Sequence, residues 1–425
     1  MTVFILFASL VVCFALGMPI AFSLGVSCLC AIVYMDVPTM VIAQKLLASN
    51  DSFPFLAIPL FTLAGAVMTK GGLSRRLVNL ASLLVYQLRI PGGLAVVAVL
   101  GSMFFAAISG SPVSTVAAVG SILIPSMVAR GYTPAFCGAI QAAAGPLGAM
   151  IPPSIGLIVY GVSVNQSISK LFLATAIPGL LMGIALMLIS GFLAARQGFG
   201  QNDKPERSAL FIWKDSFWAL LLPVIILGGI YGGVFTPTEA AGVAVVYGYL
   251  AGFVIYRELT VKQMWESLIE AAVGSAMIMI IINFSSLFSW LVATYRIPQI
   301  VSAAIFSVTT DPLMILLILN LFMLVVGTFM ETSPAIVILA PVFLPIAVTI
   351  GIDPIHFGII MVVNLLIGLV TPPVGLTLFM ASRVANAPVD DIIRNVWIPL
   401  GIMILMLIPI NLFPQLSLYL LQFMR

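Results

Sequence analysis

Two short stretches of this sequence set hydroxyls and a carboxylate among residues that are almost all apolar. The first is SGSPVST at 109–115, which offers Ser109, Ser111, Ser114 and Thr115 around Gly110 and Pro112. The second is ETSP at 331–334, with Glu331, Thr332 and Ser333. Two further stretches, GAMIPPS at 148–154 and GLVTPP at 368–373, place a Pro-Pro pair inside an apolar run. Proline has no N–H, so carbonyls near each pair lose their helical partners. Freed carbonyls and Ser/Thr hydroxyls are hard oxygen ligands that suit a small hard cation such as Na+ without needing a carboxylate. The half-helix N-termini that such breaks create attract anionic groups. One architecture can therefore hold a cation on oxygens and an acid on N–H groups, which matters because the tips and breaks contain no Arg or Lys. One candidate site combines Ser109, Ser111, Ser114 and Thr115 with Gly148 through Ser154, including Pro152. The other combines Glu331, Thr332 and Ser333 with Gly368 through Thr371. An acid within a membrane segment is a functional candidate by default. Glu331 can ligate Na+, take a proton or accept hydrogen bonds from solute hydroxyls or amines, although it would repel a solute carboxylate. At a water boundary it would only cap a helix. Each Ser or Thr also has a plainer reading, as a hydroxyl bonded to the i−4 carbonyl or a small residue between helices.

The elements that must position these groups lie in lipid. Of 425 residues, 62% are hydrophobic and 7% charged, against about 45–50% and about 25% in soluble domains. A soluble protein so poor in charge would expose too much apolar surface. The apolar runs are continuous rather than alternating, so the chain reads as an all-α polytopic membrane protein. The net charge of +3 includes no run of like charges, which leaves no basic patch for nucleic acid. Cys13, Cys28, Cys30 and Cys137 lie in apolar runs without metal or redox spacing and read as small buried hydrophobes. The single histidine, His356, cannot build a zinc site and reads as a packing or surface residue beside a helix start. The N-terminal run lacks a basic n-region and an A-x-A site, so it reads as a first membrane helix rather than a signal peptide.

A spanning helix needs roughly 20 apolar residues. The runs 2–35, 53–69, 169–195, 217–235, 237–256, 271–294 and 396–423 qualify, the first being over-long and interrupted by Gly17 and Pro19. The polar loop 196–215, with Arg196, Lys204, Arg207 and Lys214, divides the chain near its middle and is cytoplasmic by the positive-inside rule. Stretches 73–90 and 259–270 are amphipathic and read as interfacial helices. Glu239 follows two possible helix caps, Thr236 and Thr238, and reads as structural; Asn165, Asn283 and Asn364 read as interhelical donors.

The two halves repeat. Gly131, Pro134, Gly138, Gly148, Pro152 and Pro153 recur at one constant spacing as Gly351, Pro354, Gly358, Gly368, Pro372 and Pro373. Each copy has an apolar run (92–108; 312–330), a polar tip, a second run (112–129; 334–350), a Gly-x-Thr/Asp-Pro turn and a helix broken at Pro-Pro. The spacing predicts two helical hairpins that enter and leave on one side. Paired Gly/Pro-interrupted segments in corresponding positions of two halves point to a transporter's binding site.

The stretches NDSFPFLAIPLFTLAGAVMTKGGLSRRLVNLA (50–81), GGLAVVAVLGSMFFAAISGSPVSTVAAVGSILIP (92–125), MIPPSIGLIVYG (150–161), GGVFTPTEAAGVAVVY (232–247) and TPPVGLTLF (371–379) resemble the large membrane subunit of tripartite ATP-independent periplasmic (TRAP) transporters, within the wider ion-transporter superfamily. The resemblance covers nearly the whole chain. It implies an inverted-repeat, elevator-type carrier with two re-entrant hairpins and two Pro-broken helices, working on a Na+ gradient in the bacterial inner membrane. It implies three partners besides the bilayer: an organic-acid solute, a periplasmic solute-binding protein that delivers it, and a small four-helix membrane subunit, expected as a separate chain. Carried over by position, Ser109, Ser154 and Glu331 correspond to solute contacts, and oxygens around Ser111, Gly148, Pro152, Thr332, Gly368 and Thr371 to Na+ ligands. Residues 92–168 and 312–388 would form the moving unit; 1–91, 169–311 and 389–425 would supply scaffold, arms and a C-terminal helix. Many relatives are expected to carry Asp near position 331, and the longer Glu leaves the solute open. Alternatives are a self-sufficient Na+/dicarboxylate symporter, a channel and an intramembrane enzyme. The last lacks any H-E-x-x-H, Ser/His or paired-Asp arrangement.

Overall fold

A computed structural model describes residues 1–38, 40–50, 52–90, 92–199 and 207–424, and every regular element among them is helical. In hydrocarbon each backbone polar group must find a partner inside the protein, and a helix supplies it within its own segment.

The run at 2–35 is two helices, α1 (Thr2–Ala15) and α2 (Ile20–Tyr34), folded back on each other. Gly17 takes a left-handed φ of +76° at the turn, and Pro19, with no N–H to leave unpaired, stands just before α2. α3 (Met40–Asn50) leads to α4 (Ala57–Lys70) and the amphipathic arm α5 (Leu73–Gln87). The first repeat follows: α6 (Gly93–Ser109) and α7 (Pro112–Val128) form a hairpin, and α8 (Pro134–Ala144), α9 (Leu147–Met150) and α10 (Ile155–Ser163) form the broken helix, bent by 44° at 151–154. α11 (Ile168–Ala174), α12 (Ala176–Arg196), α13 (Ala209–Tyr231), α14 (Pro237–Leu250), α15 (Val261–Thr294) and α16 (Ile297–Val308) make up the central block. In the second repeat α17 (Pro312–Phe329) and α18 (Thr332–Thr349) form the hairpin, and α19 (Pro354–Gly368) and α20 (Leu376–Ala385) the broken helix; α21 (Val389–Leu412) and α22 (Gln415–Leu418) close the chain.

Several elements differ from the sequence reading. α13 begins at Ala209, not 217, because Lys214 and Asp215 fall in its first two turns, where Asp215 is held by an ion pair. The stretch 259–270 is not a separate interfacial helix. Thr260 and Gln263 form a capping box, and with no Gly or Pro before Gly274 the helix runs 34 residues without a break. Glu266 and Glu270 on its first turns meet Lys70 at 3.7 and 3.3 Å. The final run ends at Phe413–Pro414 instead of continuing to 423. Cys30 is exposed, while Cys13, Cys28 and Cys137 are buried. His356 is buried in the first turn of α19. Thr236 caps α14 in a reciprocal pair with Glu239. Asn283 accepts from Ser49 Oγ at 2.6 Å, and Asn364 donates to Asn320, but Asn165 sits in a loop at φ +54°.

Basic residues concentrate at one end of the bundle. Lys70, Arg75, Arg130, Arg196, Arg207 and Arg257 lie at helix ends joined there, as does loop 196–215, whose residues 200–206, Lys204 included, lie outside the described set. By the positive-inside rule this end is cytoplasmic. Here Arg76, 7% exposed, ties three elements together. Its guanidinium bonds Asp215 of α13 at 3.0 Å and Glu258, just ahead of α15, at 2.9 Å, and stacks on Tyr256 at 3.6 Å. Partial burial by itself raises the Glu258 carboxyl, but hydrogen bonds and charge from Arg76, then Arg75, outweigh it and hold the group below its ordinary 4.5. A depressed folded value means that this stabilisation is complete above the ordinary carboxylate range and is lost as pH falls through the depressed value. Arg76→Met should cost about 2–3 kcal/mol, because partly buried Asp215 loses its partner and Glu258 keeps only Arg75. Thermal unfolding in detergent should show that loss at pH 7 and a smaller one near pH 3; an equal loss at both would contradict the ion-pair account.

Candidate functional site

Each hairpin tip meets the break of its own repeat. At the first tip, Gly110 takes φ +63°, which a side chain would strain. Ser111 caps α7, its Oγ accepting the Ser114 N–H at 3.4 Å, and Thr115 Oγ1 donates to the Ser111 carbonyl at 2.8 Å. The Gly110 carbonyl accepts the Ile155 N–H at 3.4 Å across to the break. Gly148 has no room for a side chain: a Cβ there would collide with the Thr115 hydroxyl and stand 2.9 Å from the Ser111 carbonyl oxygen. The Ser111 carbonyl, the Thr115 hydroxyl and the 148–153 backbone thus converge.

At the second tip, Met330 and Glu331 are extended between α17 and α18. The break 369–375 lies against the last turn of α17. Gly375 N–H donates to the Thr328 carbonyl at 3.2 Å, and a Cβ on Gly368 would run into the backbone of Gly327. Thr377 closes the break from its own side, its N–H and Oγ1 both donating to the Leu369 carbonyl, at 3.1 and 2.8 Å. The Thr371 hydroxyl bonds back to the Ile367 carbonyl at 2.9 Å.

The repeats then interlock. α10 packs on α18 and α20 packs on α7. A Cβ on Gly156 of α10 would lie 3.3 Å from the Thr332 methyl and 3.8 Å from Ser154 Oγ, so these two hydroxyl residues flank one glycine. Gly145 stands likewise between the Pro112 carbonyl and Thr377. Tyr160, near the end of α10, donates to the Pro354 carbonyl at the start of α19 at 2.7 Å, and Gly138 of α8 lies against Ala385 at the end of α20. The two broken helices therefore run in opposite directions, and the halves are related by inversion.

Ser154 and Thr115 are fully buried; Ser109, Thr332 and Ser333 are buried; Ser111, Glu331 and Thr371 are half-buried; Ser114 is exposed. Ser109 is seated against Gly65 of α4, and Pro152 lies buried in the first break. Glu331 stands at the N-terminus of α18 without bonding its first-turn N–H groups, so it is not acting as a cap. Thr332 Oγ1 is buried with no hydrogen-bond partner. Leaving a buried hydroxyl unmatched costs about 1–3 kcal/mol, and a cation or solute atom would relieve that cost. The oxygen-only donor set fits a small hard cation. The N-termini of α7, α10, α18 and α20 all start at the tips and breaks and would favour an anion.

Sequence reasoning missed Thr328, Thr377 and Gly156. Thr328 acts through its carbonyl, and Thr377 corresponds to Leu157 in the first repeat, so symmetry did not mark it. It also missed the Gln141 contact that fastens the first hairpin to its half-helix; in the second repeat Asn364, expected as an interhelical donor, makes the corresponding contact. Gln141 Nε2 donates to Ser102 Oγ at 3.1 Å, and Asn364 donates to Asn320, which also exchanges bonds with Asn411 at 2.9 and 3.2 Å.

Residues 7–416 match the family described as tripartite ATP-independent periplasmic transporter, DctM component. The chain is 45% identical to the isethionate TRAP transporter permease protein DctMQ of Oleidesulfovibrio alaskensis, over 98% of this chain and 66% of that longer protein. It is 45% identical to the C4-dicarboxylate TRAP transporter large permease protein DctM of Pseudomonas aeruginosa, covering 89% of this chain and 88% of that one. It is 38% identical to the sialic acid TRAP transporter large permease protein SiaM of Vibrio cholerae, covering 95% of each. Among solved structures, the Alcanivorax borkumensis YdaH transporter superposes with a TM-score of 0.60 over 91% of this chain and 90% of that one, at 16% identity, a likeness of fold.

The tip–break contacts predict unequal costs for adding one methyl. Gly368→Ala pushes against backbone and should destabilise by about 1–3 kcal/mol with loss of solute uptake. Gly101→Ala, inside α6, meets its nearest neighbour at 3.4 Å and should be neutral or stabilising. Thermal unfolding and uptake of the two variants, compared side by side, check this; equal behaviour would refute the close approach.

Proposed function

The chain belongs to the family of DctM components of tripartite ATP-independent periplasmic transporters, and from that membership we propose that it carries a small organic acid across the bacterial inner membrane, driven by a Na+ gradient. Solute would arrive from a periplasmic binding protein, and a small membrane subunit would brace the scaffold. The relatives' names include a C4-dicarboxylate, sialic acid and isethionate, all anions. Half-helix N-termini that meet at one level suit that shared feature without committing to one solute.

The observation that carries this reading is the buried, unmatched Thr332 hydroxyl beside Gly156 and Ser154, where the two repeats touch. In this assignment the oxygens around Ser111, Gly148 and Pro152 hold one Na+, and those around Thr332, Gly368 and Thr371 a second. Ser109, Ser154 and Glu331 contact solute. Na+ bound there would add positive charge beside the helix N-termini and so raise affinity for the acid, which couples the two. Residues 92–168 and 312–388 would move as one body past the scaffold, because each hairpin is pinned to its broken helix.

Uptake into proteoliposomes is expected to require both an inward Na+ gradient and the binding protein. Thr332→Ala should raise the Na+ concentration for half-maximal uptake roughly tenfold, equivalent to ~1.4 kcal/mol, whereas Thr332→Ser should not. Ser111→Ala should act less strongly, since its carbonyl remains. A normal Na+ titration in Thr332→Ala would remove the second ion site from this account.

A further inference from the structure

The long helix α15 packs along α18, the second arm of the second hairpin. Two prolines, Pro341 and Pro345, lie inside α18. Each lacks an N–H, so the carbonyls four residues earlier, those of Val337 and Pro341, lose their helical donors. α15 answers the first of them: Ser289 Oγ donates to the Val337 carbonyl at 3.1 Å. One turn earlier on the same face of α15, Ser285 is fully buried and its hydroxyl has no partner. The Pro341 carbonyl lies one turn later on α18. Two hydroxyls and two proline-freed carbonyls thus share one spacing on neighbouring helices, joined here by the single bond from Ser289.

The two helices also run the same way. α15 starts at the cytoplasmic end, where Glu266 and Glu270 meet Lys70, and leads away from it. The second hairpin is inverted relative to the first, whose foot at Arg130 is cytoplasmic, so α18 likewise leads from its tip away from the cytoplasm. A shift of α18 toward the cytoplasm by one turn, about 6 Å for four residues, brings Val337 level with Ser285 and Pro341 level with Ser289. Both hydroxyls and both carbonyls then pair. The first hairpin is built differently. At the constant repeat spacing Pro125 answers Pro345, but Ser121 stands where Pro341 would, and α7 packs on the arm α5. The additional proline belongs to the hairpin that faces α15.

Building on the transport reading above, we infer that Ser285 and Ser289 form a two-position track on α15. Along it α18 slides by one turn, from a register held by one hydrogen bond to a register held by two. Double electron–electron resonance in lipid nanodiscs, with and without NaCl, tests this. Spin labels go on Met277→Cys, on the exposed side of α15, and Thr349→Cys, at the exposed hairpin foot, with Cys30→Ser removing the exposed native thiol. With the track intact, two distances about 6 Å apart are expected. Ser285→Ala removes a bond from the shifted register only, and Pro345→Ala does the same by returning an N–H to the Pro341 carbonyl. Each should lower the ratio of shifted to present register about fivefold. Ser289→Ala removes one bond from both registers and should leave the ratio unchanged. Pro345 is exposed and alanine favours helix, so Pro345→Ala keeps the test decisive should Ser285→Ala destabilise the fold. A single distance under both conditions, an unchanged ratio in Pro345→Ala, or a Ser289→Ala ratio lowered as far as that of Ser285→Ala overturns the track. Na+-driven uptake of a C4-dicarboxylate, sialic acid and isethionate by the same protein separates the two readings. Uptake that persists with a single distance sinks the track alone; two distances that respond as expected without any uptake uphold the track and count against the transport reading.

Discussion

An amide without a partner in hydrocarbon costs several kcal/mol, so every departure from helix at membrane depth has to be answered by another part of the chain. In this protein the answers come in pairs. The Gly110 carbonyl at the first tip takes the Ile155 N–H from the first break, and the Thr328 carbonyl at the second tip takes the Gly375 N–H from the second break. Neither tip nor break is satisfied alone. Glycine makes the pairing possible: Gly148 lets the first break come up to Thr115 and the Ser111 carbonyl, and Gly368 meets Gly327 backbone to backbone. Oxygens left over after this mutual pairing are the ones available to a ligand. The same irregularity that demands a close fit therefore supplies the oxygens of the candidate site.

Inversion of the repeats turns two such pairs into one site. Because α8–α10 and α19–α20 run in opposite directions, the second half of each broken helix reaches the other repeat's hairpin, α10 to α18 and α20 to α7. Ser154 and Thr332 come from different halves yet flank the same glycine. The fastenings inside each half are buried side-chain amides, Gln141 to Ser102 and Asn364 to Asn320. The arm and scaffold are held by charge instead, through Arg76. Buried amide contacts tie each hairpin to its half-helix, and Asn320 extends the second tie to Asn411 of α21, while a partly hydrated ion network sits at the edge, where water can reach it.

The parts of this arrangement most legible in the sequence were those written in glycine and proline. Pro112 and the two Pro-Pro pairs fell where helices start or stop, and the recurring Gly and Pro positions marked the repeat. The parts least legible were those where composition alone does not separate outcomes. Lys262, Glu266 and Glu270 look interfacial by charge pattern, but no residue between Val261 and Val273 can break a helix, so continuity prevailed. Thr328 and Thr377 sit in apolar runs and act through a carbonyl or a back-bonded hydroxyl, which leaves no signature in side-chain type. The turn at Gly17 was visible, but that α1 and α2 fold onto each other depends on surfaces far away in sequence.

The uninterrupted α15 also fixes a depth. At about 1.5 Å per residue, its 34 residues extend roughly 50 Å, well beyond the ~30 Å hydrocarbon layer. Its first turns, carrying Glu266 and Glu270 against Lys70, belong at head-group level, and the remainder is apolar enough to cross. A rod pinned at the water boundary and stiff along its whole length cannot easily rise or sink. It gives the rest of the molecule a stationary post, so that in the proposed transport cycle vertical displacement of the hairpins would be measured against the protein itself and not against a fluid and compressible bilayer.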